Sequence, residues 1–316
     1  MDHAPHDVVA TEGGVTAALV HDHEAATAAL DFLDSCEDTV GAPLVDEAER
    51  DRLRELAATD EGAPHWHSVL ATRDGHAVGY GGLTVPGGQE AGAATGDVAV
   101  QRGRAWSDVA VAAVVEAQAL LARDHGADRL ELWVRSADVE TVAILTNSGF
   151  GVDRRLAVLG RPLSELGEVG APEGISIRGF QERDAHEIVE VLAAAYEDTA
   201  EAGWDRQRFD DKRELPWFDP ADLLVAEEGG KLLGIHWTKR RDAATGEVYN
   251  LAIHPEAQGR GLGGALLRAG LRHLAEQGCG RVILWVDMAN ERGVQLYERH
   301  GFTLQWEDLA LSRPLA

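Results

Sequence analysis

The chain repeats itself. Residues 132–150 read LWVRSADVETVAILTNSGF and residues 284–302 read LWVDMANERGVQLYERHGF, equal in length, opened by Leu-Trp-Val and closed by Gly-Phe. A repeat of this kind means that whatever fold one half adopts, the other adopts too. Hairpin signals stand upstream of each copy: Ser68–Arg73, Asp74-Gly75 and His76–Val85 in the first, Leu223–Glu228, Gly229-Gly230 and Lys231–Arg240 in the second. Asp-Gly and Gly-Gly supply the positive backbone angles of a two-residue turn, and the apolar runs beside them supply the strands. A further strand is expected at Asp97–Val100 and at Glu247–His254, each followed by an amphipathic helix. In the second half Leu267, Leu271 and Leu274 fall on one helical face, with Arg268, Arg272 and Glu276 off it. The expected architecture is therefore an α/β unit with a mixed sheet, built twice. Residues 1–160 and 174–316 form the two expected domains, joined by the polar, Pro- and Gly-bearing segment 161–173.

Charge narrows the range of partners. Twenty-nine Lys plus Arg against 54 Asp plus Glu leave a net charge of −25, a field that repels phosphate backbones, so nucleic acid is not an expected partner. No stretch approaches the roughly 20 apolar residues of a membrane-spanning helix. Met1-Asp2-His3 does not open a secretory leader. Cys36 and Cys279 fit neither a disulfide framework nor a zinc pattern. A reduced, cytoplasmic monomer acting on a small molecule is the expectation.

The segment Leu251–Leu271, LAIHPEAQGRGLGGALLRAGL, says most about ligands. Pro255 ends a strand, and Gln258-Gly259-Arg260-Gly261-Leu262-Gly263 opens a helix. Glycines let successive N–H groups turn toward one point, where the helix N-terminus adds partial positive charge; together they make a phosphate cradle. Arg260 can add a charge-assisted hydrogen bond. Gly259, Gly261 and Gly264 also match the dinucleotide pattern GxGxxG, with Asp287 as the ribose acid. Against that, His254–Gln258 separates the strand from the glycines, and about fifty residues remain for the rest of a doubly wound sheet. The pyrophosphate loop of coenzyme A, Gln-x-x-Gly-x-Gly, is the alternative, and a helix start without a ligand is the plain one.

With Asn290 and Tyr297 downstream, the second half resembles the GNAT superfamily of N-acetyltransferases. The hallmarks are the Gln258–Gly263 loop and the strand–Asn–helix–Tyr–Gly–Phe run Ile283–Phe302. The resemblance implies a tandem acyltransferase fold. It also implies acetyl-CoA held where two parallel strands splay, with Asn290 against the cofactor and Tyr297 facing the sulfur. Asn290 also suits a helix N-cap, and Tyr297 a core ring. Aminolysis of a thioester needs a neutral amine, a stabilised oxyanion and a proton for the thiolate. Glu247 is the expected base and Tyr297 the expected acid, its ordinary pKa standing about 1.5 units above a thiol's. By the repeat, Ala94 stands opposite Glu247, Leu145 opposite Tyr297 and Asp138 opposite Asn290, while the loop becomes Gln101-Arg102-Gly103-Arg104-Ala105-Trp106. The first half is expected to catalyse nothing and to shape the substrate cleft.

A narrower resemblance is to the two-domain mycothiol synthase family. It is carried by Gly203-Trp204, Trp217-Phe218-Asp219-Pro220, Leu232–Lys239 and Gly246-Glu247-Val248-Tyr249. It implies acetylation of the cysteinyl amine of desacetylmycothiol. Residue by residue, it implies substrate contacts at Glu47, Glu201, Lys239, Glu247 and Trp285, with Asp46 an alternative to Glu47 and Trp285 standing where relatives carry Tyr. Leu251, Ala252 and Ile253 would meet the thioester. Gln258, Gly259, Arg260, Gly261, Leu262, Gly263 and Gly264 would meet the pyrophosphate. Asn290, Glu291, Arg292, Gly293, Val294 and Gln295 would contact the coenzyme further along. Several carboxylates and a lysine suit a polyol-bearing amine. Another small amine, a protein N-terminus, or acyl-CoA binding without catalysis remain as alternatives. His21-Asp22-His23 and His65-Trp66-His67 lack a third ligand at metal-site spacing, so no metal is expected.

Overall fold

A computed structural model describes residues 8–87, 92–164, 166–167 and 170–315. Met1-Asp2-His3 and part of the expected linker 161–173 lie outside the described residues. The chain forms two compact units, Met1–Leu156 with Trp306–Ala316, and Ala157–Gln305. It therefore does not divide at a single point near residue 160, because the final eleven-residue segment belongs to the first unit.

The first unit runs through β1 (Val8–Glu12), β2 (Val15–Leu19), α1 (His23–Val40), α2 (Glu47–Thr59), β3 (Trp66–Arg73), β4 (His76–Thr84), β5 (Ala93–Val100), α3 (Ser107–Asp124), β6 (Arg129–Val134) and α4 (Val139–Asn147). The sheet follows chain order from β1 to β6, all neighbours antiparallel except β5 and β6. The chain's last residues complete it, with Leu309 through Pro314 antiparallel to Val134 through Arg129. Alternation along the strands separates two cores. Val69, Ala71 and Val78 pack under α3 with Val111 and Val114, while Trp66, Leu70 and Tyr80 pack with Phe32, Leu33, Leu53 and Leu56 of α1 and α2.

The second unit begins in β7 (Gly151–Pro162) at Ala157 and continues through β8 (Ser176–Gly179), α5 (Ala185–Tyr196), α6 (Arg206–Arg213), β9 (Leu223–Glu228), β10 (Lys231–Arg240), β11 (Thr245–Ile253), α7 (Leu262–Glu276), β12 (Arg281–Asp287) and α8 (Glu291–Arg299), and on into β13 (Thr303–Pro314). Its strand order is β7-β12-β11-β10-β9-β8. One face carries Trp204, Phe209, Ile235 and Trp237 with α5 and α6. The other carries Val248, Leu284 and Val286 with Leu267, Leu271 and Leu274 of α7.

Both expected hairpins close on their predicted turns. Arg73 pairs His76 around Asp74 and Gly75 (φ 51° and 77°), and Glu228 pairs Lys231 around Gly229 and Gly230 (φ 60° and 89°). Positive φ at both central residues matches the right-handed twist of the flanking strands. β5 starts at Ala93, four residues before the expected Asp97, because its pairing with β6 runs from Ala93 to Asp97. Among the described residues no helix is long and apolar enough to cross a membrane, and no group of three or more His, Cys, Asp or Glu could hold a metal ion.

Candidate active site

The site begins where two strands stop pairing. β11 and β12 are parallel and in register at only three positions, ending at Glu247 and Ile283, yet β11 continues to Ile253 and β12 to Asp287. The strands part beyond that point. β11 keeps its other partner, with Asn250, Leu251, Ala252 and Ile253 opposite Trp237, His236, Ile235 and Gly234 of β10. His254 donates its N–H to Leu233 O at 2.9 Å. Alternation then turns the Leu251 and Ile253 amides toward the gap, and the Ala252 amide back to β10. Two backbone donors face a cleft between parted strands, which is the geometry an acyl oxygen requires.

A β-bulge sets what stands beside them. Asn250 pairs Trp237 while Val248 pairs Thr238, leaving Tyr249 as the extra residue. Lys239 stands directly across from Glu247 on the face that carries Trp237. Both are almost fully buried, Lys239 at 5% and Glu247 at 7% exposure. The Lys239 ammonium lies 4.7 Å from the Trp217 ring centre and 6.0 Å from that of Tyr249, so the desolvated cation sits on aromatic faces. Trp217 in turn packs edge-on against Tyr249 at 4.7 Å. Arg241 donates to Oε2 of Glu247 at 2.8 Å and stacks 5.1 Å over Trp285 on β12.

The glycine loop lies beyond the open end of β11. Residues Pro255–Ala257 form one turn of 3₁₀ helix, Gly259 and Gly261 adopt φ 77° and 81°, and α7 starts at Leu262 with no side chain capping it. Its first N–H groups, Leu262, Gly263 and Gly264 among them, lack an intrahelical partner by construction, and so point a partial positive charge outward. Arg260 does not turn into this cradle. Its guanidinium makes two hydrogen bonds with Glu228, at 2.6 and 3.0 Å. Gln258 reaches back to Ile253 O at 3.4 Å and accepts from Arg292 of α8 at 3.5 Å. A sheet of this order, with a 3₁₀ turn before the glycines, is not the dinucleotide arrangement.

Asn290 caps α8, its Oδ1 accepting the Gly293 N–H at 3.0 Å. Tyr297 packs edge-on against Phe302 at 5.6 Å within the α7 core. Burial pushes its phenol well above the usual range, so it carries its proton at any working pH. Tyr196, the last residue of α5, faces both Tyr297 and the Leu251 amide, and burial raises its phenol as well. Glu201 follows α5 in a turn, paired with Arg208 at 3.4 Å. In the first unit Glu47 opens α2, whereas the Asp46 carboxylate is already used as that helix's N-cap, accepting Glu49 N–H at 2.7 Å.

Comparison with known proteins gives the same fold. A GCN5-related N-acetyltransferase from Sphaerobacter thermophilus superposes with a TM-score of 0.71 at 20% identity, over 96% of this chain and 97% of that one. A tandem GNAT protein from the clavulanic acid biosynthesis pathway gives 0.70 at 18%, over 96% and 99%. The Acetyltransferase (GNAT) family model matches residues 186–302. Mycothiol acetyltransferase of Thermomonospora curvata is 36% identical over 83% of this chain and 87% of its own length, and that of Streptomyces avermitilis is 36% identical over 90% of each. The chain belongs to the mycothiol acetyltransferase family. As a family member it is an acyltransferase, and its fold is the one seen in the tandem GNAT protein.

The structure brings Lys239, Glu247 and Trp285 of this family member onto one face of the sheet, and Leu251, Ile253, Gln258 and Arg292 around one gap. It also adds residues that motif reading did not single out as site residues: Arg241, Tyr196, and the ring pair Trp217 and Tyr249. In the first unit the position opposite Glu247 is Thr95 rather than the expected Ala94, because the bulge at Tyr249 has no counterpart in β5. That unit also closes its own loop. Arg102 donates to Arg135 O at 3.1 Å and pairs Asp138 at 3.1 Å, while Arg135 pairs Asp97 at 2.8 Å.

Proposed function

We propose that the second unit transfers the acetyl group of acetyl-CoA to the cysteinyl amine of desacetylmycothiol, giving mycothiol and CoA. The parting of β11 from β12 immediately after Glu247 carries this reading. It opens a gap edged by the Leu251 and Ile253 amides and headed by the buried Glu247 carboxylate, and in this reading the protonated Tyr297 phenol faces it. In the proposed reaction the amine nitrogen bonds to the thioester carbonyl carbon while Glu247 takes the proton that the nitrogen loses. The amides of Leu251 and Ile253 hold the oxygen as it gains charge. When the C–S bond breaks, Tyr297 gives its proton to the sulfur. A cysteinyl amine with a pKa near 8 is neutral in on the order of a tenth of molecules at pH 7, so a carboxylate base suffices. The diphosphate would lie on the Gln258–Gly264 turn, and the sugar hydroxyls would meet Lys239, Glu201 and Trp285.

The first unit is assigned no chemistry. Thr95, Leu145 and Asp138 replace Glu247, Tyr297 and Asn290 there, and Asp138 is engaged by Arg102. The setting that fits this reading is a cytoplasmic monomer acting on a small molecule without a metal. Mass spectrometry after incubation with acetyl-CoA and desacetylmycothiol tests the reading. A gain of one acetyl group on the amine is expected, and an unmodified substrate beside intact acetyl-CoA would refute it.

A further inference from the structure

Among the contacts of Arg241 are two of different kinds. Its Nη1 donates to Oε2 of Glu247 at 2.8 Å, and its guanidinium stands 5.1 Å from the Trp285 ring centre. The first contact is charge-assisted and directional. The second keeps the guanidinium against the indole, a contact that Lys does not make in the same way. Across the sheet pair, Lys239 stands on the opposite side of Glu247, itself fixed under Trp217. The Glu247 side chain is only 10% exposed, so the protein rather than solvent decides how its carboxylate is turned. A base acts through one oxygen, and misdirecting that oxygen by about 1 Å can cost on the order of a hundredfold in rate.

We propose that Arg241 is a positioning residue for the acetyl transfer: seated on Trp285, it binds Oε2 of Glu247 and fixes the carboxylate plane. The proposal rests on Glu247 being the base. It predicts a chain of dependence from Trp285 through Arg241 to Glu247, in which Arg241 has no effect on turnover except through the carboxylate.

A double-mutant cycle tests that dependence on the full-length protein. Arg241→Gln should lower kcat by about tenfold or more with the KM for acetyl-CoA unchanged, and Arg241→Lys should recover only part of the loss. In a Glu247→Gln background, adding Arg241→Gln should change kcat by less than about twofold, because the group it positions is gone. Losses that multiply in the double mutant, or an unchanged kcat in Arg241→Gln alone, would overturn the proposal. Full turnover in Glu247→Gln alone would instead remove the base reading on which it stands, so the two failures are told apart by that single variant.

Discussion

Glu247 and Ile283 are the last residues in register between β11 and β12, and the gap between the two strands opens directly beyond them. A parallel pair buried on both faces normally continues until one strand ends. Here both continue and separate, and the backbone groups left facing the opening need polar partners, as Leu251 finds in Tyr196 and as something polar and extended in the space would supply. A pantetheine arm with its amides and thioester has that character. The Glu247 carboxylate at the apex and the amide donors along one edge then follow from strand register and alternation.

Glu247→Gln removes the proposed proton acceptor while keeping the shape. Turnover near pH 7 should fall by on the order of a hundredfold, with acetyl-CoA affinity little changed. Steady-state kinetics with separate titration of each substrate checks both halves of that statement.

Tyr297→Phe keeps the ring against Phe302 and loses the hydroxyl. The expected result is a fall in kcat of roughly ten- to a hundredfold with acetyl-CoA binding retained. Because burial raises this phenol, the wild-type rate should show no basic limb from Tyr297 up to about pH 10. A normal rate in the variant would reduce Tyr297 to a packing residue.

Substitution in the glycine loop separates strain from ligand binding. An added Cβ at Gly259 meets nothing within 4 Å, yet φ is +77°. Gly259→Ala should therefore cost about 1–2 kcal/mol of backbone energy and raise the KM for acetyl-CoA. Arg260→Ala breaks an exposed, solvent-screened pair with Glu228 and should leave the melt nearly unchanged. Thermal melts and KM measured on both variants would show the first effect large and the second small.

Two buried groups give stability opposite slopes against pH. Glu49 accepts hydrogen bonds from Tyr80 and from Trp66 at 2.8 Å, and burial lifts its carboxyl to about 7. Its contribution is complete below the ordinary range near 4.5 and is lost as pH rises through 7. The size is on the order of 3 kcal/mol at most. His236, fully buried beneath α7 with Nδ1 at Leu266 O, is pushed down to about 4. Its contribution is present above about 6.5 and lost as pH falls through 4. In urea titrations, Glu49→Gln should flatten the loss of stability between pH 5 and 8, and wild-type behaviour in that variant would contradict this assignment.

The sequence carried the hairpins, the duplication and the glycine turn, because each rests on local chemistry: paired positive-φ residues, a repeated run, glycines before a helix. Three things were not legible. The bulge at Tyr249 adds one residue without any compositional mark, which is why Ala94 rather than Thr95 was set against Glu247. The transfer of Trp306–Ala316 to the first unit depends on pairing with β6, a contact far away in sequence. Arg241 sits in the polar turn after β10, where nothing local distinguishes it from a solvated charge. Its role appears only when the strand register places it at Glu247. Arg260 shows the reverse, a residue in a ligand motif whose side chain is held by Glu228.

A crystal structure of the protein with acetyl-CoA tests the central claim most directly. The account predicts the diphosphate on the amides of residues 259–264, the acyl oxygen at the Leu251 amide, and the sulfur facing Tyr297. Acetyl-CoA bound elsewhere, with β11 and β12 still parted and empty, would contradict it.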